Sequence, residues 1–317
     1  MNYREVKQFL IERDNFYIST HVNSDGDAIG SVLALARLIK GIGKTARVIL
    51  HDKLIDPKYR FLEGFDRIES YRPSVHKKPA LSVILLDSPG IPRIGGVASL
   101  IGEGACVLNI DHHASNTRFG NINIVDENAC ATAEILFRLA KALKLSIDML
   151  TATQLYTGVM FDTGRFRYSH LDRAFPIATA LVKLGAQPER VAEAVYGQKS
   201  YPSVKLLGEA LTSLRLYSKN RVALMSLPFK AVQLSKDLDG IVDYAISITD
   251  VEVAGLLKEQ EPCRYRISLR SRGKFDVNEL ARGFQGGGHP NAAGCYVEGD
   301  AARVKRVLLR AIQKRLS

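Results

Sequence analysis

Short apolar runs that each stop on a carboxylate or an imidazole recur through the first half of this chain, and they restrict its fold more than any other feature. Residues 16–20 lead into His21, residues 81–87 end on Asp87, and residues 105–111 end on Asp111, followed by His112 and His113. A fourth apolar run covers residues 46–50. Between and after these runs, helical periodicity covers residues 27–42, 132–145, 151–160 and 173–184. Continuous apolar strands alternating with helices are the pattern of βαβ units, whose strands pair in parallel and are covered on both faces. The first part of the chain therefore reads as an α/β domain with a mostly parallel sheet. Polar residues at the carboxyl ends of such strands collect along one edge, where open α/β sheets place their sites.

A second pattern begins near residue 219. Residues 221–226 and 265–270 read as strands and 276–282 as a short helix. A glycine-rich turn at 286–288 then leads to a strand at 295–298. The last helix, residues 301–316, puts Val304, Val307, Leu308, Ala311 and Ile312 on one face. Arg303, Arg306, Arg310 and Lys314 on the opposite face read as the solvated side of a docked helix. The expected division is a first domain over 1–190, a connection over 191–218 with a helix at 201–217, and a smaller α/β domain over 219–317.

Composition narrows the class. No apolar run approaches the roughly 20 residues of a membrane span, and the first 20 residues lack the apolar core of a signal peptide. A cytoplasmic protein without a membrane partner is expected. Cys106, Cys130, Cys263 and Cys295 form no close pair, which speaks against a zinc clip or a disulfide framework and for a reducing compartment. The net charge of +11 attracts polyanions without saying which.

The chemistry is carried by four segments. In His21-Val-Asn-Ser-Asp25-Gly-Asp27 two carboxylates share a tight turn, and a proton or a cation must offset their repulsion. A helix cap explains one aspartate; it does not explain a histidine four residues earlier. Asp87, Asp111-His112-His113 and Asp162 bring further carboxylate and imidazole donors, the last directly after the helical run 151–160. Donors of these types without a thiolate suit Mn²⁺, with Mg²⁺, Co²⁺ or Fe²⁺ admitted, over structural zinc. In the second part, Gly286, Gly287 and Gly288 lack side chains that would keep an anion from backbone N–H groups. Arg270 and Arg272 on the preceding strand are suited to bidentate phosphate contacts. His51, His76 and His170 read as surface residues, and Tyr156, Phe161, Phe166 and Tyr168 as core or wall residues around the fourth motif.

Taken in order, His21-x-x-x-Asp25-x-Asp27, Asp87, Asp111-His112-His113 and Asp162-Thr163-Gly164 resemble the four motifs of the DHH phosphoesterase superfamily. Gly-Gly-Gly-His289-Pro-Asn-Ala-Ala-Gly294, preceded by Ser268-Leu-Arg270-Ser271-Arg272, resembles the signature of its C-terminal DHH-associated domain. The resemblance implies an N-terminal DHH domain, a smaller DHH-associated domain and two divalent metal ions. His21 and Asp25 would hold one ion, Asp27, His112 and Asp162 the other, and Asp87 would bridge them. His113 would contact the scissile phosphate or protonate the leaving oxygen, and Asp111 would orient the imidazoles. Substrate would be gripped by Arg270, Ser271, Arg272, Gly287, Gly288 and His289; Arg165 could also touch it. The branch implied contains the nanoRNase/oligoribonuclease and 3′-phosphoadenosine 5′-phosphate phosphatases. Its members are Mn²⁺-preferring hydrolases of short oligonucleotides or dinucleotides, with homodimers expected. Phosphodiesterases of cyclic dinucleotides or their linear products are the alternative. A non-catalytic nucleotide sensor and a pyrophosphatase are disfavoured, the first by the complete donor set and the second by the Gly-Gly-Gly-His turn.

Overall fold

The computed structural model describes residues 3–167, 170–234, 238 and 240–316, so Tyr168 lies outside the described residues. It divides into two compact units, Met1–Gln198 and Lys199–Ser317. Among the described residues no helix is long and apolar enough to cross a membrane.

The first unit runs α1 (Tyr3–Glu12), β1 (Phe16–Ser19), α2 (Gly26–Gly41), β2 (Ala46–Leu50), β3 (Glu69–Ser70), β4 (Ala80–Leu86), β5 (Ile101–Asp111) and β6 (Ile122–Val125). The helices α3 (Thr132–Ala142), α4 (Met149–Asp162), α5 (Leu171–Lys183) and α6 (Pro188–Ala192) follow. Its six strands lie in the order β3-β2-β1-β4-β5-β6, every pair parallel. Alternate strand residues face opposite ways. Ile18, Leu50, Ile84, Leu86 and Ile110 pack with the helices in the main core. Val83, Leu85 and Val107 pack beneath the 3₁₀ segment Ile91–Leu100 on the other face. Coverage on both faces is why these strands are continuously apolar. The winding reverses between β1 and β4, and the carboxyl ends of these two strands are where such a sheet places its site.

Helices α2 and α4 are buried on almost every side. They cross closely because two glycines allow it: a Cβ on Gly30 would lie 2.4 Å from the Gln154 carbonyl, and one on Gly158 2.4 Å from Asp27 Oδ1. Helix α4 runs through Asp162, two residues beyond the 151–160 pattern, so the fourth motif sits on the last turn of a helix rather than after it.

The second unit contains α7 (Tyr201–Thr212), β7 (Arg215–Tyr217), β8 (Val222–Leu227), α8 (Phe229–Val232), α9 (Ile241–Ile246), β9 (Val253–Glu261) and β10 (Arg264–Ser271). It ends with α10 (Val277–Arg282), β11 (Gly287–His289), β12 (Ala292–Glu298) and α11 (Ala301–Gln313). The sheet order is β11-β12-β10-β9-β8-β7, mixed through the parallel pair β8–β9. Segment 201–217, expected as one connecting helix, is two elements. Leu206 and Ala210 of α7 belong to this unit's core, and β7 pairs antiparallel with β8. On α11 Val304, Leu308 and Ile312 are buried in this unit's core as the periodicity predicts, but Val307 is 37% exposed and lies off that face. The four cysteines are all free.

Candidate metal centre

The loop after β1 delivers the first motif. Asp25 is the N-cap of α2, accepting from the N–H groups of Asp27 (3.0 Å) and Ala28 (3.1 Å). The cap reading thus holds for Asp25, while its Oδ2 lies 3.8 Å from His21 Nε2. Asp27, two residues on, is fully buried and caps a different helix. It accepts from the N–H groups of Thr132 (2.6 Å) and Ala133 (3.0 Å), at the start of α3. The residue in the N-cap position of α3 is Ala131, which has no side chain to do this.

Asp87 directly follows β4 in a left-handed conformation (φ 51°), its N–H donating to the Ile110 carbonyl at the end of β5. Its carboxylate is the common member of the cluster. Among the described residues, donor atoms lie within 4.8 Å of one another in each of three sets: His21, Asp25 and Asp87; Asp27, Asp87 and His112; Asp87, Asp111 and His113. His21 Nε2 is 3.4 Å from Asp87 Oδ2, and His112 Nε2 is 2.9 Å from Asp162 Oδ2. All six predicted ligands, with Asp111 and His113, meet at the carboxyl ends of β1, β4 and β5 and the end of α4.

The imidazoles suit cation binding. His21 Nδ1 faces the Val22 carbonyl (2.9 Å), His112 Nδ1 the Ala129 carbonyl (3.2 Å) and His113 Nδ1 the Asp111 carboxylate (2.7 Å). Each partner only accepts, so Nδ1 carries the hydrogen in the neutral ring and leaves the Nε2 lone pair for a ligand bond.

Without cations, protons balance the charge. Burial alone would depress His21, but the carboxylates of Asp87 and Asp25 push it up to about 9. Burial would also depress His112; Asp162, Asp87 and Asp27 raise it well above the usual imidazole range. Burial, reinforced by Asp87 and Asp162, raises Asp27 well above the ordinary carboxylate range, and burial raises Asp25 to about 6 against the opposing pull of His21. Burial would raise Asp87 too, yet the three surrounding imidazoles hold it far below that range. A site that retains protons in this way is one that divalent ions can take over.

Several participants carry no motif. Thr132, fully buried, donates from its hydroxyl to Asp87 Oδ1 (3.0 Å) while its N–H serves Asp27, and so ties two carboxylates together. Asn116 donates to Asp111 Oδ2 (2.6 Å), leaving Oδ1 to His113 and the His112 N–H. Arg165 and Phe166 are both left-handed (φ 64° and 58°), and the Arg165 guanidinium stands 4.8 Å from the Tyr196 ring centroid. Tyr156 is buried, and Phe161 and Phe166 pack against the main core. His76, expected at the surface, is buried: it stacks on Tyr71 and bonds Arg72 and Glu69. His51 and His170 are exposed.

In the second unit the predicted residues have distinct surroundings. Arg270 donates to Asp243 (3.1 Å), and Ser271 is buried with its hydroxyl on the Pro290 carbonyl (3.1 Å). Arg272 is exposed and lines a cavity of about 430 Å³ with Arg221, Lys274, Asp250 and Glu252. The triple glycine is not the expected turn. Gly287, Gly288 and His289 form β11, hairpinned onto β12, and a Cβ on Gly286 or Gly288 would lie 2.2 or 2.4 Å from a β12 carbonyl. Close strand approach, as well as any anion, therefore requires glycine here.

Comparison with known proteins finds matches to both units. The DHH family, N-terminal domain, matches residues 15–159, and the DHHA1 domain matches residues 228–317. The bifunctional oligoribonuclease and PAP phosphatase NrnA of Thermus thermophilus is 32% identical over 307 residues, covering 95% of this chain and 90% of the relative. The crystal structure of an exopolyphosphatase-related protein from Bacteroides fragilis superposes with a TM-score of 0.90 at 29% identity, covering 98% of this chain and 95% of that one. RecJ of Thermus thermophilus, crystallised with Mn²⁺, shares the fold with a TM-score of 0.57 at 15% identity, covering 99% of this chain and 54% of RecJ.

Proposed function

The chain belongs to the DHH family, and from that premise we propose that it is a metal-dependent hydrolase of phosphoester bonds in short nucleotides. Its proposed substrates are short RNA and 3′-phosphoadenosine 5′-phosphate, and Mn²⁺ is its preferred ion. The observation that carries this reading is Asp87, buried and common to three sets of converging donors. His21 and Asp25 would hold one ion, Asp27, His112 and Asp162 a second, and Asp87 both. When bound, a pair of divalent cations neutralises phosphate charge and lowers the pKa of water. The chain's own groups do the rest. Asp111 holds His113 by Nδ1 and so orients the imidazole that would contact the phosphate or hand a proton to the leaving oxygen. Asn116 fixes Asp111 in turn. Substrate is proposed to be held by Arg270, Ser271, Arg272, Gly287, Gly288 and His289. Of these, exposed Arg272 beside Lys274 and Arg221 suits phosphate best, whereas Arg270 already serves Asp243.

A panel of a short RNA, pApA, cyclic-di-AMP and 3′-phosphoadenosine 5′-phosphate, incubated with Mn²⁺ and resolved by chromatography, tests the reading. Mononucleotide from the RNA and phosphate from the last substrate are expected. No product from any of the four, with Mn²⁺, Mg²⁺ or Co²⁺, would overturn it.

Two further outcomes follow from the site. Thr132→Val keeps shape but deletes the hydroxyl on Asp87; Mn²⁺ affinity should fall by roughly 10–100-fold, the usual effect of losing a ligand's hydrogen-bond partner. Thr132→Ser should stay near wild type, and equal affinities for both variants in calorimetry would exclude the role. The second outcome concerns pH. His21 in the ion-free protein has its pKa raised from 6.5 to about 9, so its stabilising charge is fully present below pH 6.5 and lost as pH rises through 9. In chelator, the melting temperature should therefore decline between those pH values. With Mn²⁺ the ligands must be deprotonated, so ion affinity should climb over the same interval. Parallel pH trends in chelator and in Mn²⁺ would contradict this.

A further inference from the structure

We propose that Asp52, a carboxylate outside the donor cluster, is a positioning residue that sets the loop carrying His21 and Asp25. The inference rests on the two-ion reading above and assigns a role to a residue that belongs to none of the motifs. Asp52 lies just past the end of β2, the neighbour of β1, and both of its oxygens are engaged. Oδ1 accepts from the Asn23 N–H (2.8 Å), and Oδ2 accepts from the Ser24 N–H (2.8 Å) and the Ser24 hydroxyl (2.7 Å). The same hydroxyl lies 3.2 Å from the His21 carbonyl.

These bonds hold a backbone that would otherwise resist its shape. Asn23 is left-handed (φ 59°), a region that asparagine enters more readily than most residues bearing a Cβ but less freely than glycine. One carboxylate receiving two successive N–H groups fixes that turn, and the Val22 N–H is pinned in addition to the Arg93 carbonyl (2.7 Å). His21 and Asp25 flank the turn on either side. If it relaxed, the two ends would part, and His21 Nε2 and Asp25 Oδ2 would no longer lie 3.8 Å from each other. Asp27, His112 and Asp162 are held by other contacts: the start of α3, the Ala129 carbonyl and helix α4. The effect of losing Asp52 should accordingly fall on one ion and spare the other.

The test is Mn²⁺ titration by calorimetry and electron paramagnetic resonance on wild type, Asp52→Asn, Asp52→Ala, Asn23→Gly and the double variant Asn23→Gly/Asp52→Ala. Circular dichroism in chelator follows the fold of each. In Asp52→Asn one N–H would face an amide NH₂ in place of an acceptor, so the isosteric variant also reports. One of two Mn²⁺ equivalents should weaken by roughly 10–100-fold in both single Asp52 variants while the other is retained. The double variant should recover part of that loss, because glycine enters the left-handed region without a steric cost. Two equally tight ions in Asp52→Ala would overturn the proposal and leave the two-ion reading intact. Equal weakening of both ions, or no recovery in the double variant, would reduce Asp52 to general structural support. A wild type that binds no Mn²⁺ would remove both readings together.

Discussion

Asp87→Asn is expected to lower kcat/KM on a dinucleotide by about 10³-fold or more, equivalent to about 4 kcal/mol of barrier, with the fold retained. The side chain is 2% exposed and lies within 3.6 Å of donors on His21, His112, His113 and Thr132. Among the described residues no other carboxylate serves three donor sets. An amide of the same shape keeps the packing but loses the charge that both ions would share, so bound Mn²⁺ should fall with activity. Stopped assays paired with metal analysis of the dialysed variant measure both quantities. Wild-type turnover at saturating Mn²⁺ would show that the shared carboxylate is dispensable.

The second large effect comes from a residue that binds nothing. Gly158→Ala in α4 would place a methyl 2.4 Å from Asp27 Oδ1 and 2.7 Å from the Ala133 Cβ. In an open helix the same change stabilises by up to about 1 kcal/mol. Here overpacking should dominate, costing about 1–3 kcal/mol. Asp27 cannot move aside freely, because Thr132, Ala133 and Ser31 all donate to it. Mn²⁺ binding and activity should therefore drop more than stability does. Gly208→Ala in α7 is the control: a Cβ there meets nothing within 4 Å, and a modest gain in urea midpoint is expected. If Gly158→Ala behaved like Gly208→Ala, the close crossing of α2 and α4 would not be what seats Asp27.

The sequence exposed those parts of the molecule whose cause is local. Strand ends that stop on Asp87 and Asp111 could be read because a parallel sheet puts all its carboxyl ends on one side, so position along the chain converts directly into position in space. The two residues of β3 carry no usable period, and β6 is a four-residue edge strand interrupted by Asn123. Partnerships across long separations were also hidden. Nothing near Thr132 announces that it serves Asp27, 105 residues away, and nothing near Asp52 points to Asn23. The triple glycine misled for a different reason: a tight turn and a strand pressed against its neighbour ask for the same missing Cβ, and composition does not separate them. The burial of His76 depends on Tyr71 and Glu69 folding back over it, which a lone histidine in a polar stretch does not signal.

Asp27 closes the first turn of α3 from another helix, and this gives the backbone a means of reporting on the centre. The amides of Thr132 and Ala133 have that carboxylate as their acceptor, so they can exchange with deuterated solvent only when the helix end and Asp27 separate. Any ion that anchors Asp27 should slow that exchange, and any loosening of its contacts with α3 should hasten it. Two peptide hydrogens, followed by mass spectrometry or NMR, would register occupancy of the centre without a substrate present.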